Sequence, residues 1–307
     1  MKLSFIGEGG KIRGAYILGV IEALEWLGLK YVDFLTGSSS GIANLAYVAS
    51  GQLNIGRQVW PVEIPNLKFI GIKNLFAGKP FLDLDQLIEK IFKGRFGLDV
   101  EALKRSPMKL VIPVTSAETG KPRYIDSQRD LDKVDIFEVL KAAMAVPFLY
   151  GRTVRLDDGE YFDGAVSDPF PIDYGEIANS RKIIAMTQPE DYHTPYLEQK
   201  IAKVLKRRLP PGVYEGLQAR PDVVRKRQRE IKERERNGEA HVIRPSFKLS
   251  SLKATRRNIE AITRAGINDT LGHEGLLSFL KELSTTDYGV KYFHNPPLKC
   301  TSDELMV

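Results

Sequence analysis

With 307 residues, 43% of them hydrophobic and 27% charged, the chain has the composition of an ordinary soluble globular protein able to bury one large core or two smaller ones. Its one cysteine excludes an internal disulfide and fits a reducing compartment. The net charge of +6 is regional: from Lys200 to Arg236 thirteen Lys or Arg stand against five acids, a local excess of +8 that leaves the remainder slightly acidic.

Met1–Gly7 has one basic residue and too short an apolar stretch for a secretory leader, and no run of about 20 apolar residues follows, so a cytoplasmic location is the expectation. Leu3–Ile6 reads as a strand, 7–14 as a glycine loop, and Ala15–Leu27 as a helix with Ile17, Val20, Ile21, Leu24 and Leu27 on one face. Tyr31–Thr36 is a second strand, followed at once by Gly37-Ser38-Ser39-Ser40-Gly41 and by a segment, 42–49, with the composition of a buried helix. Residues 54–80 are rich in glycine, proline and aromatics without a period, an irregular excursion placed to cover a site. Leu84–Phe92 is predicted helical, Met108–Thr115 a strand with Arg123–Asp126 beside it, and Ile136–Ala145 a helix ending before Pro147. Asp157-Asp158-Gly159-Glu160 is a hairpin signal between Val154–Leu156 and Tyr161–Phe162, and Lys182–Thr187 is another buried strand.

After Pro189 the character changes. Leu197, Ile201, Val204, Leu205 and Leu209 recur at helical spacing opposite Lys and Arg, and a charged helix is predicted over Arg220–Arg236. An edge strand over His241–Pro245 and helices over Arg256–Ala265 and Gly275–Leu283 complete the pattern, with a polar tail from Ser284. Strands alternating with crossovers predict an α/β fold, three layers around a mainly parallel sheet, over residues 1–190, with a basic helical C-terminal region, 191–307, packed on or beside it.

Ser39 is the central residue for chemistry. A serine at a sharp strand-to-helix turn, with Gly37 two residues before and Gly41 two after, raises its hydroxyl where it can attack a carbonyl carbon. The glycine loop Gly7-Glu8-Gly9-Gly10-Lys11-Ile12-Arg13-Gly14 exposes backbone N–H groups to an anion, a phosphate or the oxyanion of an acyl intermediate. It ends in Gly14-Ala15-Tyr16 rather than Gly-Lys-Ser/Thr, and its spacing fails the dinucleotide fingerprint. None of the four histidines (His193, His241, His273, His294) closes a clear strand. Asp163 does, in Tyr161-Phe162-Asp163-Gly164-Ala165, and is the better base, provided that a dry site lifts its pKa from the ordinary value near ~4. Asp157, Asp158 and Asp168 read as turn and capping residues.

In combination these residues resemble bacterial patatin-like phospholipases, serine–aspartate lipid acyl hydrolases. Residues 8–14 are similar to that family's E-G-G-G-x-R-G oxyanion loop, 37–41 to its nucleophile turn, Asp163-Gly164-Ala165 to its D-G-A/G motif, and Ala145-Val146-Pro147 to its A-x-P helix end. The resemblance covers about 3–187. It implies a Ser39 nucleophile, an Asp163 base, an oxyanion hole from the N–H groups of Gly9, Gly10 and Lys11, and supporting roles for Arg13, Gly14, Gly37, Gly41 and Gly164. Lys11 departs from the pattern, standing where the family has its third glycine. That departure supports the competing reading, a catalytically silent protein of the same fold that holds anionic lipid.

Few histidines and no ligand cluster give no reason to expect a metal or cofactor. Lys203, Lys206, Arg207 and Arg208 beside an apolar helix face suit peripheral contact with an anionic membrane, although a core-packed helix with a solvated charged face has the same pattern. Nucleic-acid binding is not expected, because no aromatic platform or DNA-reading motif accompanies the charge.

Overall fold

The computed structural model describes residues 1–190, 197–286 and 289–293. His193, His294 and Cys300 lie outside them.

An eight-stranded sheet organises the molecule. Strand β1 (Leu3–Gly7), buried throughout, lies between two parallel neighbours, β2 (Phe34–Gly37) and β7 (Arg181–Ala185). Parallel β8 (Ala240–Ile243) extends the sheet beyond β7, so a strand of the basic C-terminal region forms its outer edge. On the other side β2 pairs with β3 (Lys109–Ser116), and β3 receives antiparallel β4 (Pro122–Asp126) and β6 (Glu160–Asp163). The turn at 156–159 joins β6 to the short β5 (Val154–Arg155).

Alternation along each strand sends side chains to opposite faces. Leu3, Phe5 and Leu35 enter one large core, shared with helices α1 (Gly14–Trp26), α2 (Ser40–Ala49) and α3 (Ile136–Met144). Ile6, Phe34 and Ile184 enter a second core on the other face, closed by Phe170, Ile172 and Ile231. Two cores with helices outside them make the three-layer α/β/α arrangement. Ile231 belongs to α5 (Pro211–Arg236), the second helix beyond Pro189, after α4 (Leu197–Val204). Helix α5 starts nine residues before the predicted Arg220, with Pro211 in its first turn, where a missing N–H costs nothing. It continues through Pro221 because Gly212, Val213, Gly216, Leu217 and Pro221 are all buried by packing.

Of the last two long helices, α6 (Arg256–Leu271) and α7 (Glu274–Thr285), the former lies directly on α1. The approach is close enough that a Cβ at Gly19 would fall 2.0 Å from Thr263 O, and one at Gly266 2.3 Å from Tyr16 O. Among the described residues, no helix is long and apolar enough to cross a membrane.

Candidate active site

The topology of β3 brings the two predicted reacting residues together. Antiparallel β4 covers one edge of β3 from Val111 to Thr115. The opposite edge is shared: β2 pairs with it up to Val111, and β6 pairs with it from Ser116 back to Val114. The two strands therefore run head to head along the same edge. One ends at Gly37 and turns into Ser39, while the other ends at Asp163. Residues 124 positions apart in sequence thus share one pocket.

Ser39 occupies that turn with φ 48° and ψ −126°, a conformation that costs a non-glycine residue on the order of 1–3 kcal/mol. Gly37 and Gly41 both press on Gly7 O, which a Cβ would approach to 2.2 and 2.5 Å, so the elbow is pinned against the end of β1. Gly164 abuts Pro113 O in the same manner, at 2.1 Å. The side chain of Ser39 is nearly buried, and α2 begins at the next residue.

Asp163 is buried, and its Oδ1 accepts a hydrogen bond from Ala165 N at 2.8 Å. Loss of solvent pushes its pKa up to about 6, against the Ala165 N–H, the Ser39 hydroxyl and the Arg220 charge, which all favour the carboxylate. The Ser39 hydroxyl is near enough to stabilise that charge.

The glycine loop lies against the elbow. A Cβ on Gly9 would sit 2.7 Å from Ser39 Cβ and 2.8 Å from Ser38 O, so no larger residue fits unless the loop withdraws. Gly9 N donates to Ser38 Oγ at 3.1 Å and Gly10 N donates to Ser40 Oγ at 3.0 Å. The Lys11 N–H finds no acceptor among the described residues. Lys11 has φ 57°, the left-handed conformation that glycine adopts freely and that costs a lysine roughly 1–2 kcal/mol.

Two cavities meet at Ser39. One is polar and lined by Gly9, Gly10, Arg13, Asp163, Glu198 and Arg220. The other is apolar, walled by Tyr47, Trp60, Phe69, Leu84, Ile91 and Phe92 among others. Lys11, Ser39 and Val146 line both.

A family model for the patatin-like phospholipases matches residues 7–175, more than half of the chain. The chain belongs to the patatin-like phospholipase family. The uncharacterized protein YjjU of Escherichia coli K12 is 23% identical over 205 residues, covering 63% of this chain and 54% of YjjU, so this chain aligns with about half of that relative's length. The crystal structure of VipD from Legionella pneumophila superposes with a TM-score of 0.51 at 14% identity, over 91% of this chain and 67% of VipD, a likeness of fold.

Within this patatin-like frame, several contributors to the site escaped the sequence reading. Glu8 is half-buried, and desolvation raises its carboxyl above the ordinary range against Thr187 and Arg13. Its Oε2 accepts from Thr187 N at 2.5 Å and Thr187 Oγ1 at 3.1 Å, tying the glycine loop to the end of β7. Ser38 and Ser40, the neighbours of the nucleophile candidate, hold the loop on its other side, and Ser38 Oγ also donates to Pro169 O at 3.1 Å. The run of three serines was visible in the sequence, but their division of labour depends on which way each points at the elbow. Arg220 of α5 reaches the polar cavity, ion-paired with Glu198 of α4. Gly14 opens α1 with Ser40 and Trp60 packed on it, and Asn44 Nδ2 donates to its carbonyl at 2.8 Å. Arg13 lines the polar cavity beside Gly10.

His241 and His273 are placed elsewhere. His241 stacks on Phe279, and burial holds its pKa down at about 4, while His273 Nδ1 caps α7 by accepting from Leu276 N at 3.1 Å. Asp157 and Asp158 pair with Arg123 beside their turn. Asp168 does more than cap a turn: buried, it accepts from Arg227 Nε at 3.0 Å and from Tyr124 Oη at 2.6 Å, and so pins α5 to the sheet. Among the described residues no cluster of three or more His, Cys, Asp or Glu is arranged to hold a metal.

Proposed function

We propose that this protein is a serine hydrolase of lipid esters, of the phospholipase or lysophospholipase type, acting through a Ser39–Asp163 dyad. The observation that carries the reading is the position of Ser39 at the junction of an apolar cavity and a polar one that also contains Asp163. In this mechanism the acyl chain lies in the apolar cavity and the alcohol portion in the polar cavity. Ser39 Oγ attacks the ester carbonyl carbon as its proton passes to the Asp163 carboxylate. The tetrahedral oxyanion accepts a hydrogen bond from the Lys11 N–H, in a loop that Gly9 and Gly10 hold against the elbow. Collapse breaks the carbon–oxygen bond to the alcohol, which takes the proton back from Asp163. Water then repeats the sequence on the acyl-serine, releasing the fatty acid and restoring Ser39.

Burial of Asp163 supports this assignment, because a base whose pKa is lifted to about 6 accepts a proton better than an ordinary carboxylate and stays mostly ionised at neutral pH. The backbone N–H of Lys11 is independent of its side chain, so the departure from glycine leaves the donor in place.

The reading includes a cytoplasmic protein in peripheral contact with an anionic membrane. Helix α4 supports that contact: Leu197 and Val204 are exposed rather than core-packed, near Lys203, Lys206, Arg207 and Arg208. Its buried side is formed by Gln199 and Ala202 instead.

A fluorophosphonate probe tests the central claim. It is expected to label the wild-type protein and not Ser39→Ala, with p-nitrophenyl ester turnover lost in Ser39→Ala and in Asp163→Asn. Folded wild-type protein that takes no label and turns over no ester overturns the reading.

A further inference from the structure

The wall of the apolar cavity continues into a closed loop on the surface. Phe69, Ile70 and Leu82 line the cavity, and Ile70 pairs with Leu82 in an isolated antiparallel bridge. Gly71 N donates to Phe81 O at 2.9 Å, and Asp83 N donates to Phe69 O at 2.7 Å. Asn74 Nδ2 crosses the base, donating to Phe69 O at 3.1 Å and Phe81 O at 3.3 Å. Residues 71–81 are thus held as a unit at the cavity rim. Yet the outer end of the loop buries nothing: Ile72, Leu75 and Phe76 are 61%, 53% and 86% exposed.

We propose that this loop docks the protein on an anionic lipid bilayer, with Ile72, Leu75 and Phe76 entering the interface and Lys68 and Lys73 meeting lipid head groups. The inference rests on the lipid-ester reading of the site and adds how the substrate surface is engaged. Three large apolar side chains gathered at one exposed tip form a patch that a soluble surface rarely carries without a partner. The charge around them selects the partner. Between Glu63 and Asp83 the chain has Lys68, Lys73 and Lys79 and no acidic residue. Lys79 pairs with Asp83 at 2.9 Å, whereas Lys68 and Lys73 make no ion pair among the described residues. Apolar side chains for the acyl boundary with cations for the head-group layer are the composition of an interfacial element. A protein partner is favoured less, because a stable protein interface needs about 800 Å² per side, and a five-residue helical turn at a loop tip presents little of that. The location agrees: a lipid leaving a bilayer at this loop meets the apolar cavity directly.

Co-sedimentation with vesicles tests the proposal, comparing phosphatidylcholine alone with phosphatidylcholine containing phosphatidylglycerol. The full chain is used as wild type, as Leu75→Ser/Phe76→Ser, as Lys73→Glu, and as Lys203→Ala/Lys206→Ala. The wild type is expected to bind the anionic vesicles in a salt-dependent way, and each loop variant to lose roughly tenfold or more in binding. Turnover of a short soluble p-nitrophenyl ester is expected to stay at the wild-type rate in the loop variants, since none of those residues touches Ser39 or Asp163, while hydrolysis of vesicle lipid falls with binding. Wild-type protein that ignores anionic vesicles overturns the proposal, as does binding that survives both loop variants and falls only with Lys203→Ala/Lys206→Ala. Retained ester turnover with loop-independent binding defeats the docking claim alone. Loop-dependent binding without any Ser39 labelling defeats the hydrolase reading and leaves docking standing.

Discussion

Arg220 and Asp163 share one polar cavity, although one lies midway along the basic C-terminal helix and the other ends a strand of the sheet. The guanidinium favours the ionised carboxylate and opposes the desolvation that lifts the pKa of Asp163 to about 6. If Asp163 is the base, ester turnover falls on the acid side as that carboxylate is protonated. Arg220→Gln removes the opposing cation and leaves Glu198, whose own charge raises the Asp163 pKa, without its partner. The acid limb of the kcat/KM profile is therefore expected to move to higher pH, with the plateau at alkaline pH less affected. A profile that stays in place would separate Arg220 from the titration of the base.

The same burial has a stability consequence of definite sign. The folded pKa of Asp163, about 6, exceeds its ordinary value of 3.8, so its protonated form favours folding. That contribution is fully present below about pH 4 and is lost as pH rises through about 6. Asp163→Asn imitates the protonated group and keeps an oxygen for Ala165 N. It is expected to be more stable than wild type by roughly 2–3 kcal/mol at pH 8 and nearly equal to it at pH 4, while turning over no ester. Urea denaturation at the two pH values provides the measurement, and equal stability at pH 8 contradicts the buried-carboxylate account.

Lys11→Gly removes a side chain from a left-handed backbone position. Relief of that strain, less the extra entropy of an unfolded glycine, is expected to stabilise the protein by about 0.5–1 kcal/mol. Ester turnover is expected to persist, since the backbone N–H is retained. A variant that is less stable in urea would mean that packing of the partly buried lysine stem outweighs the strain.

Gly9→Ala places a methyl group where Ser39 Cβ and Ser38 O already stand. The loop must move off the elbow, taking with it the donor at Lys11. Loss of one such donor lowers kcat by about 10²–10³-fold, so a comparable fall is expected here, with a moderate drop in the denaturation midpoint. Wild-type kcat in the variant would place the oxyanion elsewhere.

Much of this architecture was legible along the chain, because its signals are local. Apolar runs bounded by glycine or proline marked β1, β3 and β7, and Asp157–Glu160 marked its hairpin. The strand starting at Phe34 rather than Tyr31 was harder to read, since Tyr31 and Asp33 are apolar-run neighbours whose hydroxyl and carboxylate serve contacts with Pro107, Leu3 and Tyr292. Arg220 was read as the start of a surface helix because a charged side chain in a basic stretch carries no mark of the neighbour it will meet.

Local sequence determined the elbow at Ser39, the glycine loop and the break of a strand at Asp163, since backbone preference and side-chain chemistry act over a few residues. Only the tertiary structure decided that these pieces line one cavity. It placed β2 and β6 head to head on one edge of β3, set Glu8 on Thr187 to fix the loop, and turned Arg220 and Glu198 inward. The physical reason is that strand register and helix docking follow from burial summed over both cores, a property of the whole chain rather than of any short stretch.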